Sequence, residues 1–299
     1  MSISPPRGMP KGLRSFLFAP GNHARRVEKV FTAGADAVIL DLEDAVPVAE
    51  KEQTRELVVA AMQRARVSLG YVRINGVGTR WCMGDVESVI GPWLDGIVVP
   101  KVESPDQLRL ISEKISDAER RFGLPGGSID LMPIIETALG IESARDIAAA
   151  GPRVRRLAFG GGDYTTELDI IWTAEEHELA YARARLTHAS RIAGIEPPID
   201  TVCVQVKDAE RFRQSAWNGR RAGFAGKLCI HPDQVAPCNE VYAPSLEEIE
   251  RARRIVEAFE SAESGGSASI RVDGEFVDYP IVERARRVLA LAARISPAP

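Results

Sequence analysis

The feature that most constrains the fold of this chain is a repeated alternation of short apolar runs and helical patterns. Eight runs rich in Val, Ile and Leu are separated by helical segments, and a strand-then-helix rhythm predicts a parallel sheet. Eight such units make one full turn of a (β/α)8 barrel. The predicted strands are Ser15–Ala19, Ala37–Leu42, Tyr71–Asn75, Gly96–Lys101, Leu131–Glu136, Arg156–Gly160, Thr201–Val206 and Lys227–His231.

The pattern changes after the eighth strand and the helical segment that follows it, Leu246–Glu260. Residues 261–267 are rich in Ser and Gly, which is typical of a flexible linker. Ala268–Val277, with Asp273-Gly274 at its centre, predicts a small hairpin, and Ile281–Ile295 predicts an Arg-rich amphipathic helix. Because this tail is too short to fold alone, we expect it to pack on the barrel or on a neighbouring subunit.

The composition is that of an ordinary globular protein and argues against several functional classes. The 299 residues are 45% hydrophobic and 27% charged, so a large core can form. A formal net charge of −4 provides no basic surface for nucleic acid or for an anionic membrane. No apolar run reaches the ~18–20 residues that span a bilayer. Met1–Lys11 lacks the apolar core of a signal peptide, so we expect a cytoplasmic protein.

Two predicted strands deliver an acid to their carboxyl ends. Glu136 ends the fifth strand, and Asp163 follows the sixth after three glycines. The carboxyl ends of parallel strands meet at one mouth, where two carboxylates suggest a divalent cation such as Mg²⁺. Asp163 and Asp44 have the alternative role of helix N-caps. Glu is a poor N-cap, and an unpaired charge at the end of an apolar strand is costly, so we expect a metal or another cation beside Glu136.

Other strands also end in polar residues. On the third strand, the Arg73 guanidinium is placed to hold a carboxylate through two parallel hydrogen bonds. His231, at the end of the eighth strand, is a candidate site residue, and the role of His23 in the first loop is open. The alternative for Arg73, compatible with the first, is a buried salt bridge to Asp41, Glu43 or Asp44.

Several segments match a known family pattern in the order in which they occur. The most specific of them is Asp41-Leu42-Glu43-Asp44-Ala45-Val46. The others are Pro20-Gly21-Asn22 with Arg25 and Lys29, Val72-Arg73-Ile74-Asn75, Val99-Pro100-Lys101, Pro133-Ile134-Ile135-Glu136-Thr137, Phe159-Gly160 with Asp163-Tyr164, and Gly226-Lys227 with Ile230-His231-Pro232. From about Arg14 to Arg287 the chain resembles the citrate lyase β-subunit-like family of the HpcH/HpaI aldolase superfamily, which includes malyl-CoA and citramalyl-CoA lyases.

The resemblance implies a fold and a reaction. The fold is a (β/α)8 TIM barrel, here residues 12–260 as the catalytic domain, with a C-terminal lid, here the linker and hairpin-helix extension 261–299. The reaction is reversible cleavage of a carbon–carbon bond in a 3-hydroxyacyl-CoA thioester, with Mg²⁺ as the cofactor and Mn²⁺ as an alternative. By motif position, Glu136 and Asp163 correspond to the two metal ligands.

The resemblance also implies roles for the remaining candidate residues. Arg73 clamps the substrate carboxylate, and Glu43 and Asp44 support that arginine and the metal-bound waters. Asp278, in the lid, reaches the active site of a neighbouring subunit and acts as the acid/base. This role requires at least a dimer, and the resemblance implies a homo-oligomer that is a trimer or a hexamer. The basic residues near the CoA phosphates are Arg25 and Lys29.

Some aspects of function remain open. The chain departs from the family pattern at Tyr279, Ile281 and Gly161-Gly162, which leaves the acyl preference undetermined. Glyoxylate, pyruvate and oxaloacetate all fit the oxo acid that Mg²⁺ and Arg73 would hold. One alternative function is a citrate lyase β subunit acting on citryl-acyl carrier protein. Another is a non-catalytic barrel that binds acyl-CoA, and a CoA-free pyruvate aldolase is a third.

Overall fold

The computed structural model describes residues 12–295, which form two compact units. The larger unit comprises residues 13–242, and the smaller comprises Gly12 with residues 243–295. Among the helices of residues 12–295, none is both long enough and apolar enough to cross a membrane. The predictions made for residues 1–11 and for the last four residues of the expected lid, 296–299, lie outside the described residues.

The larger unit is a closed barrel of eight parallel strands, which confirms the predicted (β/α)8 fold. The strands pair in sequence order, and β1 pairs with β8 to close the barrel. The strands are β1 (Ser15–Pro20), β2 (Ala37–Asp41), β3 (Leu69–Arg73), β4 (Gly96–Val99), β5 (Asp130–Ile135), β6 (Ala158–Phe159), β7 (Ile199–Asp200) and β8 (Gly226–Cys229).

Helices connect the strands and follow the last one. The longest of them in this unit, over residues 105–122, begins after Ser104, whose backbone N–H donates to Gln107 Oε1 at 3.1 Å, and ends at Gly123 in the left-handed conformation. The helices are α1 (Ala24–Val30), α2 (Lys51–Met62), α3 (Cys82–Val89), α4 (Pro105–Phe122), α5 (Ala138–Ala148), α6 (Gly161–Glu167), α7 (Ala180–Ala193), α8 (Ala209–Arg221) and α9 (Val235–Val241).

The barrel strands are buried on both faces. Phe16, Tyr71 and Met132 belong to the apolar cluster that fills the barrel, whereas Leu40 and Val72 belong to the layer beneath the helices. Strands buried on both faces read as nearly continuous apolar runs. This is why the strands were visible in the sequence without a clear alternation of polar and apolar residues.

The position of the seventh strand was predicted wrongly. The prediction was Thr201–Val206, whereas β7 is Ile199–Asp200 and directly follows Pro197-Pro198. Its neighbour β6 is itself only two residues long, and Ile199 pairs with both Ala158 and Gly226. The apolar run after β7 forms part of the loop at the barrel mouth, where Val204 is exposed. An alternating apolar pattern therefore marked a rim loop rather than the strand.

The smaller unit begins with a helix that crosses the predicted linker. Helix α10 (Leu246–Ser264) starts at Ser245, whose hydroxyl accepts the Glu248 N–H at 3.1 Å. The helix continues through residues 261–264 because Ala262 and Glu263 favour helix, and it ends before Gly265. The expected boundary at residue 261 thus falls inside α10, and the two compact units divide after residue 242.

The hairpin and the last helix are present as predicted. Strands β9 (Ile270–Val272) and β10 (Glu275–Val277) are antiparallel, and both turn residues, Asp273 and Gly274, have positive φ, as a two-residue type I′ turn requires. Helix α11 (Tyr279–Ile295) follows. The hairpin and α11 bury apolar side chains against α10, in a cluster formed by Ala252, Ile255, Phe259, Val277, Val282 and Ala285.

Candidate active site

An arginine–aspartate pair stands at the carboxyl ends of β2 and β3. Asp41 and Arg73 are in register, and Arg73 Nε and Nη2 donate to the two Asp41 oxygens at 2.7 and 2.6 Å. Asp41 also accepts the backbone N–H groups of Glu43 and Ala45, which folds the loop between them. Burial alone would raise the pKa of Asp41, but Arg73 and these hydrogen bonds hold it below its usual value. The buried salt bridge considered for Arg73 is therefore present.

Glu43 and Asp44 lie beside the remaining edge of the same guanidinium. Arg73 Nη1 is 3.0 Å from Glu43 Oε2 and 3.9 Å from Asp44 Oδ2. Burial raises the pKa of Glu43, although Arg73 and Lys101 oppose the shift. Burial would lower the pKa of Arg73, but the surrounding acids raise it well above its usual value. Asp41 thus takes two of the five guanidinium N–H groups of Arg73, and Glu43 lies beside Nη1.

A buried lysine that sequence reasoning missed holds the loop that carries Glu43. Lys51 Nζ donates to the carbonyl oxygens of Leu42 and Glu43 at 3.1 and 2.7 Å, and to Asn75 Oδ1 at 2.7 Å. All three ammonium protons are thereby used. The signal in the sequence is that Lys51 lies at helical spacing from Thr54 and from the apolar residues Val58, Ala61 and Met62, which form the buried face of α2.

Glu136 directly follows β5 and is only 3% exposed. Its Oε1 accepts the backbone N–H of Lys101 at 2.8 Å. Burial raises the pKa of Glu136 to about 8, and the negative charge of Asp163 adds to the shift, while Arg73 and Lys101 oppose it. A cation beside Glu136 would stabilise its charged form, so the metal expected there from the sequence stays a prediction.

The three glycines after β6 have different neighbours. A Cβ on Gly160 would lie 2.2 Å from Glu136 Oε2, so Glu136 packs directly against this backbone. Gly161 donates its N–H to Thr201 Oγ1 at 2.8 Å, and a Cβ there would lie 2.9 Å from the same oxygen. A Cβ on Gly162 would meet only the Trp172 ring, at 4.0 Å. The first two glycines make room for protein side chains rather than for a ligand.

Asp163 lies in the first turn of α6, whose N-cap position is Gly160, so the N-cap role considered for Asp163 does not apply. Its side chain is 43% exposed, and its negative charge is felt by Glu136. Within residues 12–295, no three Asp, Glu, His or Cys side chains converge as a complete metal-binding group. A buried acid with a raised pKa beside a second, accessible acid nevertheless fits Mg²⁺, which commonly takes one or two carboxylates and completes its shell with water and substrate.

Lys101, which the sequence analysis names without assigning it a role, lies among the acids of this site. Its Nζ lies 2.7 Å from Glu43 Oε1, 3.4 Å from Asp44 Oδ2 and 3.7 Å from Asp163 Oδ2. Its backbone is left-handed, with φ of 51°. Burial would lower the pKa of Lys101, but the neighbouring acids, Glu43 first, raise it well above its usual value. The two predicted metal ligands thus share a lysine as their neighbour.

The candidate residues on α1 are exposed cations. Arg25, Arg26 and Lys29 are all exposed, and within residues 12–295 none of the three forms an ion pair with an acid. Helix α1 directly follows β1, so its N-terminal end is at the mouth of the barrel. An exposed, unpaired basic group on this element is suited to an anionic ligand.

Asp278 belongs to the smaller unit and lies at the start of α11. Its Oδ1 accepts the Ile281 N–H at 3.4 Å and its carbonyl accepts the Val282 N–H at 3.0 Å, so it occupies the N-cap position. The next residue, Tyr279, donates its hydroxyl to Glu263 at 2.9 Å and packs its ring against Phe259. Tyr279 therefore fixes the start of α11 on α10, beside Asp278.

The two histidines that the sequence singled out have local surroundings. His231 Nδ1 accepts the Asp233 N–H at 3.3 Å and caps a short 3-10 helix, Pro232–Gln234. His23 precedes α1 and makes no side-chain capping bond there. The geometry gives His231 a structural role and leaves His23 without one.

Comparison with known proteins identifies relatives across most of the chain. The HpcH/HpaI aldolase/citrate lyase family matches residues 14–232. The citrate lyase subunit beta of Leuconostoc mesenteroides subsp. cremoris is 39% identical over 281 residues, which cover 93% of each chain. A (3S)-malyl-CoA thioesterase of Cereibacter sphaeroides is 35% identical over 285 residues, which cover 95% of each.

Among solved structures, the protein CitE of Mycobacterium tuberculosis in complex with magnesium, acetoacetate and coenzyme A is similar to this chain. The TM-score is 0.77 at 27% identity, and the match covers 94% of this chain and 98% of the other. The fold, the family match and the identity to the relatives agree. The chain therefore belongs to the HpcH/HpaI aldolase/citrate lyase family.

Proposed function

We propose that the protein is a Mg²⁺-dependent carbon–carbon lyase that cleaves a 3-hydroxyacyl-CoA thioester, such as malyl-, citramalyl- or citryl-CoA, into an oxo acid and acetyl-CoA. The observation that carries this proposal is that a buried acid, Glu136, and an accessible acid, Asp163, lie at one mouth of the barrel and both contact Lys101. The M. tuberculosis relative in complex with magnesium, acetoacetate and coenzyme A supports the choice of metal and of thioester.

In this proposal Glu136 and Asp163 hold Mg²⁺, or Mn²⁺ in its place. When bound, the ion supplies positive charge to a chelating oxo acid and to developing negative charge on oxygen. Because Lys101 donates its backbone N–H to Glu136, this carboxylate is held in one orientation before any ligand enters. Asp163 is the more accessible acid of the two, and it would meet the ion from the open side of the mouth.

Arg73 would bind the carboxylate of the substrate. Asp41 fixes the guanidinium plane through two hydrogen bonds, and Glu43 beside Nη1 adds a second acid that keeps the arginine in place. Asp44 is exposed at the same edge and is suited to bind water at the mouth. A clamp held in this way loses little side-chain freedom when the substrate binds.

Arg25 and Lys29 would bind the phosphates of coenzyme A. They lie one helical turn apart on α1, and neither forms an ion pair with an acid of residues 12–295. Both are therefore available to bind an anionic ligand. Arg26 adds a third exposed cation to the same short helix. We expect the loss of any one of them to raise KM for the CoA thioester with little effect on kcat.

Asp278 would be the acid/base, delivered to the mouth of a neighbouring subunit by the smaller unit acting as a lid. As a base it takes the proton of the 3-hydroxyl group, the carbon–carbon bond breaks, and the electron pair remains on the thioester fragment as an enolate. A proton then returns to the α-carbon of that fragment to give acetyl-CoA. Delivery between subunits requires at least a dimer, and we expect a homo-oligomer that is a trimer or a hexamer.

The test is an activity screen with malyl-, citramalyl- and citryl-CoA in the presence and absence of Mg²⁺. Release of glyoxylate, pyruvate or oxaloacetate together with acetyl-CoA supports the proposal. Release of free CoA thiol without an oxo acid would instead indicate hydrolysis, the activity named for the C. sphaeroides relative. An Asp278→Asn variant is expected to bind Mg²⁺ as the wild type does but to lose turnover. Near-normal turnover in that variant would rule out the acid/base role.

A second candidate is a citrate lyase β subunit that acts on citryl-acyl carrier protein. The relative at 39% identity, which bears that subunit name, is the observation that favours it. Parallel assays with citryl-CoA and citryl-acyl carrier protein separate the two candidates, and a preference for the carrier protein would select this one. A non-catalytic barrel would show no Mg²⁺ binding by calorimetry, with or without an oxo acid.

A further inference from the structure

One residue contacts all four acids to which the proposed function gives a role at the metal site and beside Arg73. The backbone N–H of Lys101 donates to Glu136, and its ammonium group lies 2.7 to 3.7 Å from oxygens of Glu43, Asp44 and Asp163. The backbone and the side chain of one residue thus serve different parts of one site.

The backbone of Lys101 is held in a conformation that a non-glycine residue seldom adopts. Its φ of 51° lies in the left-handed region, and such conformations persist where the surroundings enforce them. Lys101 directly follows Pro100, next to the end of β4, so this turn directs its N–H to Glu136. The side chain is 41% exposed, so its long stem has room to move.

The charges around Lys101 do not balance. The acids at this mouth are Asp41, Glu43, Asp44, Glu136 and Asp163, and the cations in contact with them are Arg73 and Lys101. Arg73 is committed to Asp41 through two short hydrogen bonds and is largely buried. Of these two cations, Lys101 is therefore the one whose side chain is able to move.

We propose that Lys101 is a tethered cation that neutralises the metal-binding carboxylates in the metal-free protein and withdraws from Asp163 when a divalent cation binds. It remains bonded to Glu43, its shortest ion pair, and so keeps that acid beside Arg73 in both states. Lys101 then competes with the metal for Asp163, which weakens metal binding. It also positions Glu43, which supports turnover. This inference rests on the proposed Mg²⁺ site.

The test uses a substitution that removes the charge, Lys101→Met, and one that keeps it, Lys101→Arg, in the full-length protein. We expect Mg²⁺ to bind Lys101→Met roughly two- to fivefold more tightly by calorimetry, the range for a partly exposed ion pair. A merely structural lysine would weaken binding when removed. Turnover of the Met variant should fall although its metal affinity rises, and Lys101→Arg should keep the wild-type affinity.

A second variant, Lys101→Asn, guards against misfolding, because Asn tolerates the left-handed conformation and carries no charge. Its Mg²⁺ affinity should rise as in Lys101→Met. Its thermal midpoint should fall in EDTA, where the acids lose their counter-ion, and saturating Mg²⁺ should recover most of that loss. If wild-type protein binds no Mg²⁺, the proposed function itself fails. If wild type binds Mg²⁺ and neither uncharged variant binds it more tightly, only the role given to Lys101 is overturned.

Discussion

Two clusters of charged side chains in the larger unit differ in burial and in the balance of charge. The closed cluster consists of Glu176, Arg183, Asp200 and Lys227. Lys227 Nζ is 3.0 Å from Asp200 Oδ2, and Arg183 bonds both Asp200 oxygens and Glu176. The mouth cluster consists of Asp41, Glu43, Asp44, Arg73, Lys101, Glu136 and Asp163.

The closed cluster is buried throughout, whereas Asp44, Lys101 and Asp163 of the mouth cluster are each at least 41% exposed, and the balance of charge differs as well. The closed cluster pairs two acids with two cations, and although burial would raise the pKa of Asp200, Lys227 and Arg183 hold it below its usual value. The mouth cluster has five acids for two cations, and burial, with the negative charge of Asp163 added to it, raises the pKa of Glu136 to about 8. A balanced buried cluster has all its charge committed to the fold, whereas an excess of acid leaves charge for a ligand.

The largest effect is expected from breaking the balanced cluster. Asp200→Asn leaves Lys227 and Arg183 buried with their shared acid gone, and removing one partner of a buried ion pair costs about 3–5 kcal/mol of the free energy of unfolding. Urea unfolding followed by circular dichroism measures this loss. An Asp200→Asn protein within about 0.5 kcal/mol of wild type would contradict the view of this cluster as a structural unit.

The same type of substitution in the mouth cluster should affect activity instead of stability. Glu136→Gln removes a proposed metal ligand, and we expect turnover to fall about 100- to 1000-fold, as for the loss of one preorganised electrostatic group. Because the buried charge itself is removed, the metal-free variant should be at least as stable as the wild type. Turnover assays and urea unfolding in EDTA provide the two measurements. A strong loss of stability in EDTA would mean that Glu136, like Asp200, serves the fold and not the reaction.

Lys51 offers a third test, because all three of its ammonium protons are used in hydrogen bonds beneath the loop that carries Glu43. Lys51→Met removes the donor to Leu42, Glu43 and Asn75, of which Leu42 keeps a hydrogen bond from Asn75 Nδ2, and this should cost about 1–3 kcal/mol of the free energy of unfolding. Turnover should fall as well because the loop carrying Glu43 loosens. Lys207→Met, on an exposed lysine, is the matched control and should stay within about 0.5 kcal/mol of wild type.

A further test is the pH dependence of stability that belongs to Glu136. Its pKa is raised from 4.5 to about 8 in the folded protein, so its contribution to stability is fully present below pH 4.5 and is lost as the pH rises through about 8. In EDTA the wild type should lose up to about 1.4 kcal/mol per pH unit within this window. Urea unfolding from pH 6 to 8.5 measures the slope relative to Glu136→Gln. Parallel slopes for the two proteins would show that Glu136 does not carry the dependence.

Most of the barrel was predictable because its strands are apolar on both faces and its helices alternate with them. The location of Glu136 and Asp163 at one mouth was also predictable, because parallel strands deliver their carboxyl ends to the same end of the barrel. The Arg73–Asp41 pair followed from adjacent strands and was among the alternatives weighed. These features depend on sequence order and on short-range pattern, which a single chain displays.

Other features depend on contacts that no local pattern records. Thr201–Val206 alternated like a strand, but the position of β7 was set by the ladders to β6 and β8. Nothing near Pro100-Lys101 signals a left-handed lysine, which is held there by Glu136 from another strand. Residues 261–264 read as linker by composition, whereas Ala262 and Glu263 extend α10. At β7 and at Lys101 tertiary contacts overrode the local pattern, whereas at residues 261–264 the helix propensity of Ala262 and Glu263 decided the structure.

The three glycines after β6 determine which positions at this mouth can be changed by design. Any side chain at Gly160 would collide with Glu136, and any side chain at Gly161 would collide with Thr201, so neither position can be recruited to change acyl preference. Gly162 has open space up to the Trp172 ring. Libraries that vary Gly162 and Trp172 while keeping the preceding pair fixed would therefore alter the shape of the mouth without removing the acid on which the proposed chemistry depends.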